Sequence, residues 1–224
     1  MTTSTAGRVP ALAWACQSPQ SFPAAPSPGV RPSGSWTLTR DGHVHGLDAI
    51  RLGVWQDRST GEAVSPEGRH LVLGYGSNLN PEKLAAFFVG EEVHVLAADV
   101  HDWAAAWCDA RRGSGDVVAT LVPDPGGCER HAVVAVTKGQ LERMDGWEGH
   151  PRYYRREPFT GQLALADGAT PDVEVYLGPA RRRPVWLVRG RGLLVREHSH
   201  RGADGVRVGE GWGPRIGWSQ ARRG

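Results

Sequence analysis

Leu71-Val72-Leu73-Gly74-Tyr75-Gly76-Ser77-Asn78-Leu79-Asn80-Pro81-Glu82-Lys83 packs three structural signals into one short stretch. Leu71-Val72-Leu73 is an apolar run of buried-strand type, and it leads straight into glycine. Gly74 and Gly76 on either side of Tyr75 free the backbone for positive φ angles and for close approach to a ligand. Asn80 then reads as a helix N-cap with Pro81 at the first helical position, and Lys83 to Phe88 continues as helix. The unit is strand, tight loop, helix. A loop so placed can aim amide N–H groups at an anion such as a carboxylate, although glycine chemistry alone fits an ordinary tight turn equally well.

Outward from this unit, strands are expected at Glu92 to Ala98, Val117 to Val122 and Ala132 to Val136, from their β-branched content and flanking turns. Leu141, Met144 and Trp147 recur at helical spacing and predict a helix over Lys138 to Trp147. Strands resume around Tyr153 to Leu165 and Val173 to Leu177, on either side of Asp167-Gly168. The order β, α, several β, α, several β argues for an α+β fold with a mixed, barrel-like sheet and a few helices, and against a regular βαβ repeat. Upstream, residues 36–69 read as an N-terminal extension of short strands, with Trp36 to Thr39 and Ile50 to Trp55 as candidates. Residues 1–35, with Pro19, Pro23, Pro26, Pro28 and Pro32, read as a flexible leader. The core is placed at 70–180, and residues 181–224 as a basic extension.

A second motif, Asp145-Gly146-Trp147-Glu148-Gly149-His150-Pro151, closes the second helix. A carboxylate held at a helix end beside Trp147, and bounded by Gly149 and Pro151, is placed to have its pKa raised by an apolar wall, as a general base near neutrality requires. A solvated glutamate before a glycine cap fits the same residues.

Taken in order, Tyr75-Gly76-Ser77-Asn78-Leu79 after a strand, Glu148-Gly149 about seventy residues later, and Tyr176-Leu177 in a late strand resemble the γ-glutamyl cyclotransferase family. That family includes plant AIG2-like and aminoglycoside-biosynthesis relatives. The resemblance spans roughly residues 70 to 180. It implies that Tyr75, Gly76, Ser77, Asn78 and Leu79 cradle a glutamyl group, that Glu148 is the acid/base residue, and that Tyr176 contacts substrate. Tyr154, or Tyr153 if the register slips by one, closes the pocket. The implied reaction is attack of a substrate's α-amine on its own γ-carbonyl, releasing 5-oxoproline and an amine or amino acid. The implied partner is a small γ-glutamyl compound, and no cofactor or metal is implied.

Composition narrows the alternatives. With 26 Lys and Arg against 24 Asp and Glu, the net charge of +2 gives no reason to invoke nucleic acid or an anionic membrane. No stretch approaches the ~20 apolar residues of a membrane span. The arginine excess, with only Lys83 and Lys138 as lysines, is what a GC-rich coding sequence produces. Cys16, Cys108 and Cys128 lack the paired spacing of a disulfide framework or zinc site and fit a reduced cytoplasm. Val9 to Ala15 before Cys16 faintly resembles a lipoprotein cleavage site, but Pro10 interrupts it and it is short for a secretory core. His43-x-His45 and His198-x-His200 each begin a metal site without an obvious third ligand. Ser77 lacks the glycine two residues later that a nucleophile elbow carries, which weighs against a serine amide hydrolase. A non-catalytic module binding a metabolite or protein on the same fold is the other alternative.

Overall fold

The computed structural model describes residues 14–197 except 26, 114 and 189. The strands in chain order are β1 (Cys16–Gln17), β2 (Trp36–Leu38), β3 (Val44–Arg51), β4 (Val54–Asp57), β5 (Ala63–Val64) and β6 (His70–Gly74). They continue with β7 (Val93–Arg111), β8 (Val117–Val136), β9 (Arg155–Pro158), β10 (Gln162–Leu165), β11 (Glu174–Leu177), β12 (Leu187–Val188) and β13 (Arg191–Gly192). Two α-helices occur among the described residues, α1 (Pro81–Phe87) and α2 (Lys138–Glu148).

Eleven strands form one open, mixed sheet in the order β5-β4-β3-β2-β7-β8-β6-β11-β9, with β1 on β3 and β10 on β7. The expected α+β class with a mixed sheet is thus what the chain adopts. Its spine is the long hairpin β7–β8, of 19 and 20 residues, where shorter strands were expected. Pro123, Pro125, Gly126 and Gly127 look like a chain break in sequence. Here they are absorbed by a register shift between His101 and Trp103, with Asp102 at φ 61° accepting the Gly126 N–H at 2.7 Å.

Both faces of the central sheet are buried, so its strands alternate between two cores. Val72, Val95, Val134 and Tyr176 point to the core shared with Leu84 and Phe88 and with Leu141 and Met144. Their neighbours Leu73, Leu96, Val133 and Leu177 point to the opposite core, with Trp55 and Leu163. The pairing of β11 with β6 is parallel, through Glu174–Val72 and Val175–Leu73. Parallel neighbours end on the same side, so the loop after β6 and the end of β11 converge; this is where ligands meet open parallel sheets.

Residues 36–69 extend this sheet, with β2 lying between β3 and β7. The proline-rich segment departs from its expected flexibility. Over the described residues 14–35 it is a packed strap: Phe22 is buried, Trp14 lies 5.4 Å from it ring to ring, and Cys16–Gln17 pairs with β3. Asn80 explains the order. Its side-chain amide donates to the carbonyls of Phe22 at 2.9 Å, Val30 at 2.7 Å and Pro23 at 3.3 Å. The prolines also lower the entropy lost on ordering, so few contacts suffice. At the other end, residues 183–195 pack Val185, Leu187, Leu193 and Leu194 against the outer half of the β7–β8 hairpin. Residues 198–224, including His198 and His200, lie outside the described residues.

Candidate active site

The glycine loop is built by its neighbours. Asn80 caps α1, accepting the Lys83 N–H at 3.0 Å, with Pro81 next, as the sequence predicts. Ser77–Leu79 forms a single 3-10 turn capped by Gly76. Neither Gly74 nor Gly76 takes the expected positive φ, and Gly76 sits at φ −133°. Their glycine character has other causes. A Cβ on Gly74 would meet the Leu79 side chain at 2.5 Å, whereas one on Gly76 would meet no protein atom within 4 Å. The first glycine makes room for the core and the second leaves the cavity open.

That cavity, of about 500 Å³ including its mouth, is lined by Tyr75, Gly76, Ser77, Asn78, Glu148, Tyr154 and Tyr176, together with Trp107, Arg112 and the strap residues Ser27 and Pro28. Of the cradle and pocket residues expected from sequence, Leu79 is buried in the helix-side core, and Tyr153, the alternative to Tyr154, lines a neighbouring space instead. The Ser77 and Asn78 N–H groups make no hydrogen bond among the described residues and so remain available as donors.

Glu148 closes α2 and continues the buried stripe of Leu141 and Met144, seven and four positions back. Helical periodicity thus drives a carboxylate inward. Gly149 ends the helix at φ 63°, where a Cβ would also strike Tyr153 at 2.6 Å. Burial pushes the Glu148 carboxyl above its ordinary range, against the opposing pull of Arg112, 3.8 Å away, and Arg183. Trp147 does not supply the apolar wall expected of it; it stacks on Phe87 of α1 with centroids 4.4 Å apart. Tyr154 and Tyr176 line the cavity beside Glu148 instead.

One turn earlier, Asp145 has the opposite environment. Burial raises its pKa, but hydrogen bonds from Arg156 at 2.9 Å and Tyr176 at 2.8 Å outweigh this and hold it below the usual carboxylate range. The two carboxyl groups are shifted in opposite directions, Asp145 below and Glu148 above the ordinary carboxylate range. The tyrosine hydroxyls are committed to the frame. Tyr75 donates to the Tyr176 carbonyl, Tyr154 to the Ala119 carbonyl at 2.9 Å, and Tyr176 to Asp145.

Sequence reasoning missed Arg112, Arg183 and the strap. Arg31 of the strap donates to the Tyr75 carbonyl at 3.3 Å and steadies the loop from outside. The other candidates resolve plainly. No histidine bonds Ser77 among the described residues. His45 pairs with Asp57 at 2.8 Å, and no group of three potential metal ligands gathers among the described residues. Cys108 is a packed thiol pushed by burial up to about 12. No helix among the described residues is long and apolar enough to cross a membrane.

The family model described as gamma-glutamyl cyclotransferase, AIG2-like, matches residues 72–190. Among solved structures, the chain is similar to an uncharacterized Homo sapiens protein at 21% identity and TM-score 0.44, covering 50% of this chain and 68% of that one. A gamma-glutamyl cyclotransferase follows at 20% identity and TM-score 0.41, covering 49% and 66%. An Arabidopsis thaliana protein shows 22% identity and TM-score 0.39, covering 50% and 69%. No curated protein sequence matches the chain.

Proposed function

The chain belongs to the gamma-glutamyl cyclotransferase, AIG2-like family, and on that premise we propose that it converts a γ-glutamyl amide into 5-oxoproline and a free amine. The observation that carries this reading is a buried Glu148, held above the ordinary glutamate range, in one cavity with the glycine loop.

The Ser77 and Asn78 N–H groups receive an anionic or polarised oxygen of the glutamyl group, and the open space at Gly76 admits it. The α-nitrogen bonds to the γ-carbon, and the bond from that carbon to the departing nitrogen breaks. The α-nitrogen gives up two protons in all and the departing nitrogen gains two, leaving as an ammonium. Glu148 carries protons between them and ends as it began. Because nucleophile and electrophile share one molecule, correct folding of the substrate contributes ~7 kcal/mol or more to lowering the barrier. A pure binding module has no comparable use for a desolvated carboxylate, which costs stability unless it is paired.

The test is a panel of γ-glutamyl compounds with 5-oxoproline detected by mass. Release from substrates with a free α-amine, and none from their N-acylated counterparts, is expected. Equal processing of the N-acylated compounds would replace cyclisation with hydrolysis.

A further inference from the structure

Glu148, Arg112 and Tyr154 also line a second cavity, of about 710 Å³ including its mouth, on whose walls stand Arg111, Tyr153 and Arg183. Glu148 therefore sits at the junction of two spaces. The glycine loop lines the first and is absent from the second.

Arg183 is the unusual member. It is 8% exposed, its Nε is buried without a hydrogen-bond partner, and its Nη1 donates to the Arg182 carbonyl at 3.3 Å. No carboxylate lies within ion-pair distance of it among the described residues. Burying a guanidinium without a paired anion is costly, and the fold has taken trouble to hold it there. Its carbon sits 5.3 Å from the Tyr153 ring centroid and 5.0 Å from that of Tyr154. Gly178 makes room for its stem, since a Cβ there would meet the Arg183 Cβ at 2.5 Å. Arg112, the other cation at the junction, already faces Glu148 at 3.8 Å. Arg183 is thus a fixed, desolvated cation with spare hydrogen-bonding capacity, next to the carboxylate that serves the departing nitrogen.

We infer that the second cavity is a subsite for an anionic group, carboxylate or phosphate, carried by the departing amine, with Arg183 as the specificity-determining residue. The inference rests on the cyclotransferase reading for what carries the anion, and on the cavity and Arg183 for the anion itself. It selects amines bearing a carboxylate or phosphate and disfavours neutral alkylamines and polyamines, whose charge would meet the arginines.

Two measurements test it. In the first, γ-glutamyl amides of propylamine, glycine, aminoethyl phosphate and a diamine are compared on the wild type, R183Q and R183K. The better anionic amide is expected to exceed the propyl amide in kcat/KM by about 10- to 100-fold, the scale of a hydrogen bond to a charged group. The diamine should fall lowest. R183Q should collapse the preference mainly through KM, and R183K should restore part of it. Which anion wins separates carboxylate from phosphate. In the second, glycine and aminoethyl phosphate are titrated calorimetrically into the same proteins without any turnover. Binding by the wild type, weakened at least ~10-fold in R183Q, is expected. A wild type that prefers the neutral or cationic amide, or that binds neither anion, overturns the subsite. Anion binding that depends on Arg183, without 5-oxoproline from any amide, keeps the subsite and sinks the cyclotransferase reading.

Discussion

The glycine loop and the proline strap border the same cavity, yet one announces itself in sequence and the other does not. The loop is specified locally. A strand, two glycines, a cap and a proline follow one another, and each acts within a few residues. The strap is specified from afar: the side chain that orders it, Asn80, lies 50 residues beyond Val30 and 58 beyond Phe22. Proline-rich composition signals a backbone without regular hydrogen bonds, and that says nothing about whether its carbonyls find a donor elsewhere.

The sharpest way to break this comparison is to remove the strap. A chain beginning at Trp36 should be less stable than one beginning at Trp14 by about 4 kcal/mol, roughly half from Phe22 burial and half from the polar groups stranded at Asn80. Denaturant melts of the two chains measure this. Equal midpoints would return the strap to the status of a passive leader.

The loop side is tested through Glu148, the proposed base that shares its cavity. Glu148→Gln should lower kcat by ~100-fold or more with a smaller change in KM. The same substitution should stabilise the fold near neutrality. A carboxyl whose pKa is raised on folding favours the native state fully below the ordinary glutamate range, and that contribution is lost as pH rises through the raised value. The stability gap between Gln and wild type should therefore widen as pH climbs from about 4 toward neutral. A gap independent of pH would mean that Glu148 is not held above its ordinary range.

Asn80 joins the two regions, so its variants sharpen the contrast. Asn80→Ala should cost about 2 kcal/mol, from the lost cap and the amide bonds lost to the Phe22 and Val30 carbonyls, the Pro23 carbonyl keeping the Val30 N–H. Asn80→Asp keeps a cap acceptor but removes the donor. It should release the strap to limited proteolysis while α1 persists by circular dichroism.

The smallest effects separate the two loop glycines. Gly74→Ala must displace Leu79 and should cost about 1 kcal/mol. Gly76→Ala meets no protein atom, so thermal stability should hold while kcat/KM falls. The reverse pattern would show that Gly76, and not Gly74, is the packing glycine.

The same division between local and remote signals explains what else was legible. Helix caps, the α+β order and the Glu148 motif follow from neighbours in sequence. The inward aim of Glu148 could be read by continuing Leu141 and Met144 along the helix. Arg112 and Arg183 could not, because an arginine in an arginine-rich chain carries no mark until tertiary packing buries it. The expected positive φ at Gly74 and Gly76 erred for a related reason: glycine permits two things, an unusual φ and an absent Cβ, and only packing tells which is used.

The parallel pairing of Val72 with Glu174 bears on how the protein is made. A chain emerging from the ribosome carries the glycine loop early and Glu148 later, but the strand that brings Tyr176 beside them joins β6 only after 102 further residues (174 − 72) have been synthesised. Val195 completes the lining later still. A nascent or prematurely terminated chain can therefore hold both the glycine loop and Glu148 and yet lack the walls that enclose the cavity between them.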